Sequence, residues 1–181
     1  MERALERELQ RARRCHRALS FGLLDVDAFK AVNDTLGHPA GDAMLRQLGR
    51  ALQEGIRASD SAARWGGDEF AVLLPEGGFE AAKAFADRLQ RLVSELPPVV
   101  SGEGMRPVTL SMGFVCVYGV CPDQAALMKW ADRALYAAKA GGRDGVRFLV
   151  LGEGSAGRPE VEAAAEPAEL KGGQPGDRRR R

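Results

Sequence analysis

Two adjacent acids set between a Gly-Gly turn and an apolar strand constrain this chain more than any other feature. Residues 61–65 and 69–74 flank Gly66-Gly67-Asp68, a pattern that predicts two antiparallel strands joined by a hairpin turn in which glycine supplies positive φ. The glycines alone would be structural. Asp68 and Glu69 are not explained that way, because neighbouring carboxylates repel and Phe70-Ala71-Val72-Leu73-Leu74 continues straight into a core. Carboxylates beside apolar packing are best tolerated around a cation. An oxygen-only set with no Cys or His selects Mg²⁺ or Mn²⁺ over zinc. Residues 21–26 read as a second buried strand, broken only by Gly22 and Asp25 and followed by Asp27. If the two strands are neighbours, Asp25 joins the acids of the turn.

The remaining elements follow from periodicity. Leu5, Leu9, Ala12, His16 and Leu19 form one apolar stripe on a first helix within residues 1–19. A polar turn is expected at Asn33-Asp34-Thr35 and Gly37, then a helix over 40–57 through Met44, Leu45, Leu48, Leu52 and Ile56. Helices are also predicted over 79–96, stopped by Pro97-Pro98, and over 123–140, closed by Gly141-Gly142. Strands are predicted over 108–118 and 146–150. Helices and strands interleave without regular βαβ repeats, so the expected fold is α+β: one mixed, largely antiparallel sheet flanked by helices.

Composition narrows the class. With 26 Lys+Arg against 25 Asp+Glu, the net charge of +1 argues against a protein that coats a nucleic-acid polymer. Cys15, Cys116 and Cys121 are an odd set without zinc-ligand or redox-motif spacing, consistent with reduced thiols and a cytoplasmic location. No apolar run approaches the roughly 20 residues of a membrane span. Residues 151–181 hold six Gly, three Pro and no aromatic residue and end in four arginines, so they are expected to be a disordered tail behind a domain of residues 1–150.

Gly66-Gly67-Asp68-Glu69-Phe70 resembles the GGDEF motif of diguanylate cyclase domains. Four further blocks match that family in order: Leu24-Asp25-Val26-Asp27-Ala28-Phe29-Lys30, Asn33 through Asp42, Val108 through Gly113, and Ala131 through Lys139 running into Gly142-Arg143. The resemblance implies the palm-like nucleotidyl-cyclase fold. It also implies condensation of two GTP into cyclic di-GMP and two pyrophosphates across a homodimer, with two Mg²⁺ (or Mn²⁺) per active site. By position, Asp25 and Asp68 resemble the side-chain metal ligands, and the Val26 carbonyl a backbone ligand. Asp68 or Glu69 would be the catalytic base. Asn33 and Asp42 match the guanine-reading pair. Phe29, Lys30, Lys139 and Arg143 fall where the family contacts phosphates. Arg57 and Asp60, an Arg-x-x-Asp pair, resemble the inhibitory cyclic di-GMP site, and Arg88 sits where some members supply a further arginine.

Blander readings accompany several of these residues. An acid in a helix's first turn, like Asp42, or a lysine in its last, like Lys139, is favoured by the helix dipole alone. Arg-x-x-Asp is commonly a surface pair of little energetic weight. The chain also begins inside the first helix, without the Asp-x-Leu-Thr-Gly-Leu-x-Asn-Arg segment usual in the family, and so reads as N-terminally truncated relative to it. Asp144 stands where the family commonly has Asn. The alternative function is a non-catalytic receptor for cyclic di-GMP or GTP, and a cyclase of different product specificity is disfavoured by Asp42.

Overall fold

Alternation along the strands decides which residues meet which helices. The computed structural model describes residues 1–101, 104–119, 122–152 and 160–163. In chain order the elements are α1 (Glu2–Cys15), β1 (Leu19–Val26), α2 (Phe29–Leu36), α3 (His38–Gly55), β2 (Ser61–Arg64), β3 (Glu69–Pro75) and α4 (Phe79–Ser94). They continue with β4 (Val99–Ser101), β5 (Gly104–Arg106), β6 (Leu110–Val117), α5 (Gln124–Ala140), β7 (Gly145–Leu151) and β8 (Glu160–Ala163). The main sheet runs β2-β3-β1-β6-β7-β8, antiparallel throughout except for the parallel β6–β7 pair. This is the mixed α+β sheet that the sequence predicts.

Successive side chains of a strand point to opposite faces. In β1, Leu24 and Val26 join Phe70, Val72 and Leu74 of β3 and Met112, Phe114 and Cys116 of β6 in a core closed by α3 and α4. Leu19, Phe21 and Leu23 face the other way, with Ala71, Leu73, Val115 and Val117, under Leu5, Leu9 and Ala12 of α1 and Leu127, Ala131, Ala134 and Leu135 of α5. Each large aliphatic side chain so buried contributes about 1.5–3 kcal/mol. The same alternation sends Asp25, Asp27 and Glu69, all odd-numbered residues of their strands or strand ends, toward the α5 face.

α5 comes close to the sheet because Gly113 has no side chain. A Cβ there would lie 2.6 Å from Leu135 Cα and 2.7 Å from the Ala134 carbonyl carbon. The helix starts cleanly at Asp123, whose side chain accepts a 2.7 Å hydrogen bond from the Ala126 N–H.

Four departures from expectation concern the elements themselves. Asn33-Asp34-Thr35 lies within α2 rather than in a turn; these residues favour turns locally, but burial of Val32 and packing of Phe29 on the core favour the helix. α1 ends at Cys15, with His16 left-handed at φ 51°, so Leu19 belongs to β1 and not to the α1 stripe. A small hairpin, β4–β5, follows Pro97-Pro98. Within the segment expected to be a disordered tail, Leu151 ends β7 and Glu160–Ala163 pairs with β7 as β8; apart from Gly152, the rest of that segment, like Cys121, lies outside the described residues.

Candidate active site

The acids converge at one end of the central strands. β1 and β3 are neighbours, and Asp25 stands opposite Glu69 in their register. The Val26 N–H donates to the Asp68 carbonyl at 3.3 Å, tying the turn to the end of β1. The Glu69 carbonyl accepts from the N–H groups of Trp65 at 2.8 Å and Gly66 at 3.3 Å, which closes the hairpin. Neither Gly66 nor Gly67 takes a positive φ, contrary to the expected turn geometry. Arg64 stabilises the turn instead: its Nε and Nη2 donate to the Gly67 carbonyl at 3.0 and 2.6 Å, and Nε reaches the Gly66 carbonyl at 3.2 Å. Sequence reasoning missed Arg64, although a lone cation four residues before Asp68 was visible. Space around Gly67 stays open.

Charge in this cluster is crowded. Burial pushes the Asp25 carboxyl above its ordinary value; the Lys139 ammonium, 2.7 Å from Asp25 Oδ2, opposes the shift, and Asp68 and Asp27 add to it. Burial also raises Glu69, with repulsion from Asp25 next, then Asp68 and Asp132, against the pull of Lys139. Lys139 was expected at phosphate, and here it serves as the counter-ion of Asp25. It reaches across because α5 lies on the face toward which Asp25 points.

The donor set of Asp25, Asp68 and Glu69, all oxygen and mutually repelling, suits a hard divalent cation. Among the described residues, no three His, Cys, Asp or Glu side chains are drawn together tightly enough to hold one. The fit therefore rests on donor chemistry and on the unfavourable charge that a cation would relieve.

Asp27, which received no site role from the sequence, is a structural hub. It accepts from Thr109 Oγ1 at 2.8 Å, Ser111 Oγ at 2.7 Å and the Asp144 N–H at 3.0 Å. That last bond holds a turn in which Arg143 and Asp144 are both left-handed, φ 64° and 42°, and so positions the exposed Arg143. Burial, then repulsion from Asp27, raises the Asp144 carboxyl. The clue was the i, i+2 spacing of Asp25 and Asp27, which puts both on one face of the strand.

Across the same end of the sheet, α2 opens at Ala28, left-handed at φ 56° and without a side-chain cap. The N–H groups of Phe29 and Lys30 thus begin the helix without intrahelical acceptors, an arrangement suited to anions. Lys30 is exposed. Asn33 packs against Gly41: a Cβ on Gly41 would overlap Asn33 Oδ1 and lie 3.0 Å from its Cγ. The residue after Gly41, Asp42, lines a groove of about 410 Å³ with Leu45, Arg46, Arg64 and Phe70.

Arg57, Asp60 and Arg88 gather elsewhere, at the far end of β2. Asp60 Oδ2 accepts the Arg57 N–H at 2.9 Å, and the Asp60 N–H donates to the Arg57 carbonyl at 3.0 Å, which makes a compact turn. Arg88 donates through Nε at 2.8 Å and also through Nη2 to the Gly55 carbonyl, just before that turn. The Arg57 side chain is exposed, and among the described residues its guanidinium has no partner.

Comparison with known proteins shows the family and the fold. A family model described as "Diguanylate cyclase, GGDEF domain" matches residues 1–145. The chain is 41% identical over 125 residues to the response regulator PleD of Caulobacter vibrioides, covering 68% of this chain and 28% of PleD. It is 39% identical over 140 residues to the diguanylate cyclase DgcP of Pseudomonas aeruginosa, covering 77% of this chain and 21% of DgcP. The chain thus spans less than a third of either curated relative. Among solved structures, the GGDEF domain of PA1120 (YfiN or TpbB) from Pseudomonas aeruginosa superposes with a TM-score of 0.73 at 35% identity, over 81% of this chain and 91% of that one. The GGDEF domain of DgcB from Caulobacter crescentus, in complex with c-di-GMP, gives 0.72 at 29% identity, over 83% and 86%.

Proposed function

The chain belongs to the GGDEF family of diguanylate cyclase domains, and from that premise we propose that it condenses two GTP molecules into cyclic di-GMP and two pyrophosphates. The observation that carries this reading is the Asp25–Glu69 pairing across β1 and β3, with Asp68 tied to the same strand end. An intact acid cluster is what a receptor without turnover would not need.

In this reading Asp25, Asp68 and the Val26 carbonyl would hold Mg²⁺ or Mn²⁺, two ions per site, and these would supply charge neutralisation at the phosphates. The residues of the chain do the rest. The start of α2 at Phe29 and Lys30 binds phosphate oxygens, as does Arg143, whose turn is held through the Asp144–Asp27 bond. Lys139, the counter-ion of Asp25, is the further cation that would meet phosphate. Glu69, whose raised pKa makes its carboxylate more basic than usual, or Asp68 accepts the proton of the attacking 3′-hydroxyl. Asn33 and Asp42 read the guanine. A cytoplasmic location, where GTP is available, belongs to the same reading.

Each domain holds one nucleotide, so cyclisation takes two copies. A tenfold excess of Glu69→Gln protein mixed with wild type is expected to suppress cyclic di-GMP output by drawing wild-type subunits into incompetent pairs. Undiminished output per wild-type subunit would contradict the two-copy mechanism.

Gly41→Ala displaces the Asn33 side chain, and the Phe29 ring, with Cζ 3.1 Å from the added Cβ, need give only a few tenths of an ångström. GTP should bind about tenfold more weakly, as expected for loss of one hydrogen bond of about 1.5 kcal/mol, while the melting temperature holds or rises because alanine favours the helix. Calorimetric titration with GTP checks this.

We also read Arg57, Asp60 and Arg88 as a product-inhibition site. The exposed Arg57 fork beside the Asp60 turn suits a phosphate or a guanine edge. Arg57→Ala should relieve inhibition by added cyclic di-GMP and leave turnover intact; an unchanged inhibition curve would remove the site.

A further inference from the structure

The groove beside Asp42 contains a second charged group that the reading above leaves unused. Arg46 lies one helical turn beyond Asp42 on α3, and both line the groove of about 410 Å³ with Leu45, Phe70 and Arg64. Opposite charges four residues apart on a helix ordinarily pair. Here they do not, and among the described residues neither has a hydrogen-bonding or ionic partner. Arg64 is committed to the Gly66 and Gly67 carbonyls, so Arg46 is the cation in the groove left to meet a ligand. Leu45 and Phe70, each 5% exposed, supply an apolar wall for a planar ring.

A guanine offers two unlike edges. Its N1–H and exocyclic amine are donors and suit Asp42; its O6 and N7 are acceptors and suit a guanidinium fork. Adenine presents an amine where guanine has O6 and would set donor against donor at the arginine. We propose that Arg46 is a specificity-determining residue that binds O6 and N7 of the guanine whose N1–H edge faces Asp42. This deepens the reading of the chain as a GTP-dependent cyclase and rests on it.

The test is competition against a fluorescent GTP whose 3′-hydroxyl is blocked, with GTP, 7-deaza-GTP and ITP as competitors in Mg²⁺. Wild type should bind 7-deaza-GTP, which lacks N7, about tenfold more weakly than GTP. Arg46→Gln should bind the two equally. Arg46→Lys, which keeps the charge but not the fork, should fall between them. ITP lacks the exocyclic amine and should be penalised alike in all three proteins, through Asp42. An equal 7-deaza penalty in wild type and Arg46→Gln overturns the assignment, while a retained ITP penalty would leave the GTP reading standing. Failure of GTP itself to displace the probe overturns both.

Discussion

Glu69→Gln is expected to lower cyclic di-GMP formation by about 10²- to 10⁴-fold, the range lost with a positioned acid–base group. The substitution is nearly isosteric. The hairpin closes through the Glu69 backbone carbonyl, not the side chain, so the variant should keep its fold and still bind GTP. Wild-type stability should respond to pH in a defined sense. Burial, then Asp25, raises the folded-state pKa of Glu69 above the ordinary 4.5, so between those values the folded chain binds more protons than the unfolded one. The stability linked to the neutral acid is complete below about 4.5 and is lost as pH rises through the folded value. Asp25, raised from 3.8 mainly by burial, acts in the same sense. Wild type should therefore melt progressively lower as pH rises through this window, and Glu69→Gln should show a shallower decline. Mg²⁺ should restore more stability to wild type above the window than below it. Thermal melts across pH, with and without Mg²⁺, check all three expectations.

Gly113→Ala is expected to have the largest effect on the fold, about 3 kcal/mol or more, because overpacking here cannot be relieved by a rotamer change. The added Cβ meets backbone, with Leu135 Cα at 2.6 Å. Relief requires α5 to move off β6, and that movement carries Lys139 away from Asp25. At the 2–4 °C per kcal/mol typical of a domain this size, the melting temperature should drop by roughly 10 °C. Gly49→Ala is the control, since a Cβ there meets nothing within 4 Å and the change should be neutral or stabilising by up to about 1 kcal/mol. Similar melting temperatures for the two variants would refute the close α5–β6 approach.

Much of this site was legible because it depends on local pattern. Strand alternation puts Asp25, Asp27 and Glu69 on one face, and the hairpin makes β3 available as a neighbour of β1. The matched blocks assign Asn33 and Asp42 as a pair, and Gly41, next to Asp42, gives the Asn33 side chain its room. What escaped depends on contacts between distant segments. Nothing near Lys139 announces that it pairs with Asp25, because that contact follows from how closely Gly113 lets α5 approach. The role of Asp27 follows from Thr109, Ser111 and Asp144, its hydrogen-bond partners more than 80 residues away in the sequence. α2 was hidden by turn-favouring residues whose helical form depends on burying Val32. β8 was hidden by a composition too polar to suggest a strand without its partner β7.

The central claim is that this acid cluster joins two GTP molecules, and chromatography of the products formed by concentrated purified protein with GTP and Mg²⁺ tests it most directly. The predicted result is cyclic di-GMP with two pyrophosphates released for each molecule made. Bound GTP without any cyclic di-GMP would contradict it and leave a receptor in place of an enzyme.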